Sequence, residues 1–254
     1  MFDLMAIEIV LAYILDLIMG DPRWLPHPVK GIGWLIKKLE PVLRKVFRNE
    51  RIGGIILAVS VISISWYFSF IIIKTASSIN IYAGFLASIF IIYSSLAAKD
   101  LDVESTEVYH SLEKKDIISA RKKLSLIVGR DTDNLEHREV VRATVETVSE
   151  NIVDGVISPL FYAFIGGAPL ALAYKAVNTL DSMVGYKNDK YKDFGWASAK
   201  IDTLANFIPA RLSILFLPLA SLVTGKDALN SWRIARRDGR KNPSLNSGIP
   251  EAAV

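Results

Sequence analysis

The chain contains no cysteine. That removes disulfides, thiolate nucleophiles and cysteine-ligated zinc, and it leaves the redox compartment undetermined. There is no Walker-type glycine-rich loop, no Gly-x-Ser-x-Gly elbow and no zinc motif, so none of those chemistries has support in the sequence. A large net charge is also missing. At +4 over 254 residues, the chain implies no nucleic-acid partner, and its basic residues gather in loops, as membrane topology requires. The first apolar segment lacks a basic lead and a small-residue cleavage site and carries Glu8 and Asp16. It reads as a retained span and not a signal peptide.

What is present is apolar length. The chain is 51% hydrophobic, and apolar runs of about 18 residues or longer exceed ordinary core helices. Runs at 2–20, 52–73, 81–98, 152–177 and 204–223 predict an all-α, polytopic integral membrane protein with about five apolar helices, some re-entrant. The expected organisation is one membrane domain over 1–254, with 99–150 as a cytoplasmic helical insertion and the lipid bilayer as partner. Runs 52–73 and 81–98 hold no acid and read as lipid-facing scaffold. Residues 34–51 read as an amphipathic surface helix, with Leu35, Leu39, Val42 and Val46 opposite Lys37, Lys38, Arg44, Lys45 and Arg48. Asp116 is expected to cap a helix over 117–127 that Gly129 stops, and Asp133 with Glu136 to form the capping box of the next.

That next helix carries the unusual chemistry. Glu146, Glu150 and Asp154 recur every four residues, which stacks three carboxylates on one helical face. Like charges at this spacing cost roughly 0.2–0.5 kcal/mol per exposed pair. Arg142, a Mg2+ ion or a bound cationic group would offset that cost; the plain alternative is a solvated acidic face. Asn178 and Asp181 stand three apart, and Asp202 and Asn206 four apart. Oxygen ligands of this kind suit Mg2+, with Glu150, Asp154, Asp181 and Asp202 as the candidate ligands. Arg130, Lys187 and Arg211 are candidates for phosphate oxygens, and His27, in a proline-rich turn, for a phosphate ligand, a base or a structural tether. The pattern indicates metal-assisted phosphate chemistry at a membrane surface. Phosphoryl transfer, ligation and prenyl transfer all remain open.

Topology turns on Gly166-Gly167-Ala168-Pro169, which interrupts the fourth apolar run as either a kink or the tip of a re-entrant hairpin. The loops at 21–51, 99–150 and 225–241 are the basic ones. With five spans, positive-inside places all three in the cytoplasm but leaves 179–202 outside. If the last two runs re-enter, three spans remain and every polar motif faces the cytoplasm. Re-entry brings Asn178, Asp181 and Lys187 to the side of the acidic helix, and the residues alone leave both arrangements open.

Gly20-Asp21-Pro22, Pro26-His27-Pro28-Val29, Gly129-Arg130-Asp131-Thr132, Glu146 with Glu150-Asn151 and Asp154-Gly155, Pro159-Leu160-Phe161-Tyr162, Asn178-Thr179-Leu180-Asp181-Ser182-Met183 and Pro209-Ala210-Arg211-Leu212 stand in a fixed order. In that order they resemble the adenosylcobinamide-phosphate synthase family of cobalamin biosynthesis (CobD/CbiB), over residues 16–253. The resemblance implies a multi-pass cell-membrane enzyme. It would join the carboxylate of adenosylcobyric acid to the amine of (R)-1-amino-2-propanol O-phosphate, or a related aminoalcohol, using ATP and Mg2+. Glu146, Glu150, Asp154, Asp181 and His27 would be catalytic, and Arg130, Lys187, Arg211 and Asn178 would bind the cofactor. The corrinoid and the aminoalcohol phosphate are the implied substrates, with other membrane enzymes of the corrinoid pathway as partners. A transporter or a non-catalytic membrane sensor on the same scaffold is the rival reading; no inverted repeat is seen, and the acids are kept. Two departures stand out. Thr203 follows Asp202 where the family often has two acids, which weakens a metal role there. The sequence also stops just after Asn246-Ser247-Gly248-Ile249-Pro250-Glu251-Ala252-Ala253, where the family usually continues into another apolar segment, so a shortened chain is expected.

Overall fold

The computed structural model describes residues 2–22 (Phe2 by its backbone), 24, 27–129, 131–242 and 244–254. Among these no strand occurs. The helices are α1 (Phe2–Met19), α2 (Pro28–Val46), α3 (Glu50–Ile79), α4 (Ile81–Tyr93), α5 (Ala98–Glu113), α6 (Ile117–Leu124) and α7 (His137–Ile152). A π turn (Val153–Ile157) leads into α8 (Ser158–Val184), followed by α9 (Trp196–Ala205), α10 (Phe207–Val223), α11 (Ala228–Asp238) and α12 (Gly248–Ala253). The chain forms two compact units, Met1–Leu96 with Ser158–Asn206, and Ala97–Ile157 with Phe207–Val254.

Counted as continuous helix, Glu50–Ile79, Ile81–Glu113 and His137–Val184 are long and apolar enough to cross a membrane. Trp196–Ala205 with Phe207–Val223 makes a fourth if taken as one span. The all-helical membrane class holds, with three or four such helices where about five were expected. The first run differs in its three acids, Asp3, Glu8 and Asp16, which stand in an otherwise strongly apolar helix.

The first unit keeps an apolar core and also turns large apolar side chains outward. Helix α1 exposes Ile7, Val10, Ile14 and Ile18 while burying Ala12 and Asp16. Its Glu8 accepts a 2.7 Å hydrogen bond from the Ser88 hydroxyl of α4. Helix α3 buries Ser65 and Ser69 and exposes Trp66, Tyr67 and Phe68. Small and polar residues between helices with aromatics outside are what packing in lipid favours, since burying apolar surface gains nothing there. Helix α3 is the hub, touching α2, α4, α8 and α9, and Leu57, Val61, Ile92, Leu180 and Phe194 lie in the shared core.

Helix α8 is broken at Gly166 (φ −143°, ψ 22°) and Gly167 (φ 66°, ψ −163°). The second of these conformations is open essentially to glycine alone. Across the break the Tyr162 and Tyr174 rings stack with centroids 5.1 Å apart. In a straight helix those residues would be about 18 Å apart along the axis. Ser158 and Tyr174 also donate to the same oxygen, Asn206 Oδ1, at 2.6 and 2.8 Å. The second half of α8 therefore folds back beside the first. The glycine pair is the tip of a helical hairpin, with Phe164 and Ile165 exposed next to it.

After the hairpin, residues 185–195 are fastened to the α2–α3 junction. Arg44 donates to Lys190 O (2.8 Å), Glu40 (3.1 Å) and Glu50 (2.9 Å), and its guanidinium lies 4.1 Å over the Phe194 ring. Arg51 donates to Asp193 at 2.9 Å. Segments in hydrogen-bond contact share one side of a bilayer. The contact sets Lys190 and Asp193 beside the α2–α3 junction, the placement that the re-entrant arrangement requires.

Gly54 of α3 sits so close to this segment that a Cβ would lie 1.8 Å from the Phe194 carbonyl oxygen. Backbone cannot yield as a side chain can. Gly54→Ala is expected to lower stability by about 1–3 kcal/mol, the range of core overpacking. Gly31, where an added methyl would meet nothing within 4 Å, serves as the control; Gly31→Ala in the exposed face of α2 is expected to stabilise by about 0.5–1 kcal/mol. Thermal unfolding of the two variants in one detergent checks the contrast, and equal melting temperatures would disprove it.

Several boundaries differ from expectation for local reasons. Helix α2 starts at Pro28, six residues early, because His27 caps it through its side chain and proline suits the first turn. Helix α3 continues through residues 74–79, and Asn80 then caps α4 by accepting from Tyr82 N at 2.7 Å. Asp116 caps α6 as expected, accepting from Ser119 N at 3.0 Å, but α6 ends at Leu124, before Gly129. The capping box opening α7 is Glu136 with Glu139, three residues later than expected. Asp131 takes the Asp133 N–H (2.9 Å) and Thr132 donates to Arg121 O (3.0 Å), which holds 131–133 in a turn.

The second unit packs α5, α6 and α7 around Val108, Leu124 and Val140. Ala210 of α10 meets Val153 and Ile157 of the π turn in a smaller cluster.

Candidate functional site

Two of the three ladder acids lie on α7, and the third does not continue it. Glu146 and Glu150 belong to α7, whereas Asp154 sits in the π turn. A π turn is wider than an α turn, so Asp154 lags behind the face its spacing predicts. The widened turn frees the Gly155 carbonyl, which accepts from Ala97 N at 3.0 Å. Arg142 donates to Glu146 at 2.6 Å, and this pair supplies one of the offsets the acidic ladder requires. Glu150 is exposed and Asp154 half-buried.

Glu146 faces a groove of about 450 Å³ with Arg142, Asp238, Asn242 and Glu251. Asn242 donates to Glu251 at 2.7 Å. Asp238 is flanked by Arg237 and Lys241, each at 2.6 Å, and these cations hold its carboxyl well below the usual carboxylate range. Asn242 also lines a second cavity, of about 710 Å³, with Arg211, Arg236, Arg240 and Ser244. Arg211 rises from an otherwise apolar helix, donates to Phe207 O at 2.6 Å and lies 3.3 Å over the Phe207 ring. The second unit thus joins a carboxylate groove to an arginine-lined cavity, a division suited to a cation and to phosphate oxygens.

The first unit holds His27, Asn178, Asp181, Lys187 and Asp202. His27 Nδ1 accepts from Val29 N (3.3 Å), so its proton sits on Nε2, which is 2.9 Å from Asp21 Oδ1. Both nitrogens are engaged inside the turn, which is the tethering arrangement. Asn178 and Asp181 lie half-buried on the second half of α8, and Lys187 is exposed beyond it. Asp202 accepts from Asn206 Nδ2 at 3.1 Å, orienting the amide whose oxygen ties both halves of the hairpin. Tyr162 donates to Ala205 O at 2.9 Å in the same knot. Arg130 lies outside the described residues. Among the described residues, no three His, Asp or Glu side chains gather closely enough to hold a metal ion by themselves.

The model of the family described as CobD/Cbib protein matches residues 9–254. The chain belongs to the CobD/CbiB family. Curated relatives carry the name cobalamin biosynthesis protein CobD. That of Geobacter metallireducens is 53% identical over 97% of this chain and 77% of its own length. That of Clostridium perfringens is 48% identical over 98% and 79%, and that of Listeria monocytogenes 46% over 96% and 78%. No solved structure matches the chain. For this CobD/CbiB chain, sequence reasoning passed over Arg236, Arg240, Asn242 and Glu251. The first two were counted as a basic tail that sets topology. Arg240 lies in the turn beyond the end of α11, so no helical spacing marked the pair in the sequence.

Proposed function

We propose that the chain is an ATP-dependent ligase of cobalamin biosynthesis, joining adenosylcobyric acid to (R)-1-amino-2-propanol O-phosphate or a related aminoalcohol. Membership of the CobD/CbiB family and the relatives' name support the pathway. The observation that carries the chemistry is the carboxylate groove at Glu146 adjoining, through Asn242, the cavity that holds Arg211. A carboxylate acylates poorly. In the proposed reaction its oxygen takes the γ-phosphoryl group of ATP, releasing ADP, and the amine nitrogen then attacks the acyl carbon and expels phosphate. The ammonium must first lose a proton, which Glu150 or Asp154 would accept.

Mg2+ commonly binds through one or two carboxylates plus substrate phosphates, and whichever of Glu150 and Asp154 does not take the proton is proposed to hold it. Bound there, the ion would neutralise charge developing on the transferred phosphoryl group. Glu146, already paired with Arg142, would hold the groove's shape. Asn178, Asp181 and Lys187 form the polar group of the other unit and are proposed for substrate contact. Asp202 and His27 are proposed as positioning residues, given their bonds to Asn206 and Asp21.

Detergent-purified protein should consume ATP with Mg2+ only when both adenosylcobyric acid and the aminoalcohol phosphate are present, with one amide formed per ADP. ATP turnover that ignores the second substrate, or none with both, would reject ligation.

A further inference from the structure

We propose that the arginine-lined cavity of the second unit is a binding site for a soluble phosphate ester or polyphosphate, with Arg211, Arg236 and Arg240 contacting the phosphate oxygens. The ligase reading bears only on which natural phosphate fills it. Three guanidinium groups reach this one space from α10, from α11 and from the turn that follows α11. Among the described residues, none of the three pairs with a carboxylate, whereas Arg44, Arg51, Arg142 and Arg237 all do. Like charges converging without a counterion repel, and a bound anion removes that cost.

Two of the three are also held ready. Arg211 is fixed on the Phe207 ring and its carbonyl, and Arg236 lies 4.7 Å over the Trp232 ring. A stacked guanidinium keeps its N–H edge free for the two-pronged contact that suits phosphate. Asn242 and Ser244 add neutral polar atoms, and Ile214, Leu245 and Ile249 supply an apolar wall. At about 710 Å³ the space is of small-molecule size, larger than one phosphate group needs. A lipid headgroup shares the phosphate chemistry. Phe207, Ile208, Leu215 and Phe216 are exposed near Arg211 on α10, so a lipid headgroup is the alternative source that the test separates from a soluble ligand.

The test uses the full chain in nanodiscs of zwitterionic lipid, with inorganic pyrophosphate as probe and calorimetry as readout. Wild type should bind pyrophosphate. Arg236→Gln and Arg240→Gln should each weaken binding about tenfold or more, the scale of losing a charged hydrogen bond. Arg→Lys at the same positions should recover part of the loss, and keeps the test readable if a Gln variant unfolds. Arg233→Gln makes the same charge change on α11 but does not line the cavity, and it should bind like wild type. Absence of pyrophosphate binding, or equal weakening in the Arg233 variant, would overturn the proposal. So would pyrophosphate affinity that is unmoved by the cavity variants while their uptake of anionic lipid falls. Pyrophosphate binding with the expected variant pattern but no ATP turnover would leave the site standing and reject the ligase reading alone.

Discussion

Glu150→Gln or Asp154→Asn is expected to reduce amide formation by about 10²–10⁴-fold, the range associated with losing a positioned proton acceptor or charge stabiliser, while expression and membrane insertion stay at wild-type level. Each change keeps the shape of the side chain and removes only its charge. Three acids within nine residues, at the point where α7 gives way to a π turn and then to the hairpin, are costly to keep without a use. Were they only a solvated face, neutralising one would relieve repulsion and stabilise the helix by a few tenths of a kcal/mol, about 0.2–0.5 per pair. The two explanations thus predict opposite pairings of activity and stability. Product formation at saturating Mg2+, read beside the melting temperature, separates them. Near wild-type turnover in both variants would end the case for these acids as the reaction centre. Glu146→Gln is the informative companion, since its carboxylate is already bonded to Arg142; a smaller loss is expected there.

The second large effect is all-or-none labelling. Asp189 is 99% exposed in the segment that Arg44 and Arg51 hold against the α2–α3 junction. The chain has no cysteine of its own, so Asp189→Cys carries the only thiol. A membrane-impermeant thiol reagent should label it in inverted vesicles and not in intact cells. Asn188, the neighbouring choice, is less suitable because its side chain accepts from Tyr191 N at 3.1 Å and shapes the turn. The expectation joins two independent reasons. Positive-inside places the basic stretch 21–51 in the cytoplasm, and the hydrogen bonds from Arg44 and Arg51 place 190–193 beside it. Labelling of intact cells would mean that the stretch 21–51 is also outside, and it would remove cytoplasmic ATP from reach of this unit's polar group.

The hairpin is what lets a segment as apolar as α8 return Asn178 and Asp181 toward the side it came from. A straight α8 of 27 residues would be about 40 Å long, more than enough to cross a bilayer. Folded at Gly166–Gly167, its second half instead returns beside its first, and hydroxyl and amide groups at Ser158, Tyr174 and Asn206 bind the returning half of the helix to its start. Backbone freed at the tip has to find partners within protein or a wet cavity, as any non-helical backbone at membrane depth must.

The amino-acid sequence by itself determined the all-helical membrane class, because uninterrupted apolar length leaves no other way to satisfy backbone polar groups in hydrocarbon. It also determined the motif order that resembles the CobD/CbiB family, the Asp116 cap and the place where α8 breaks, since each of these is written in neighbouring residues. Whether that break is a kink or a reversal was decided only by tertiary structure. The Tyr162–Tyr174 stack and the shared Asn206 oxygen are contacts between residues 12 to 48 positions apart, and no local pattern encodes them. The same holds for Arg44 on Lys190 O, at a separation of 146 residues, which places a loop that spacing alone left on either side. Asp154 departs from its predicted face because a π turn costs one extra residue and shows no period of its own. Arg236 and Arg240 looked like topology charges until folding set them around the cavity that Arg211 enters. Charge along a chain reports which side of a membrane it prefers; only convergence in space makes three such charges a site.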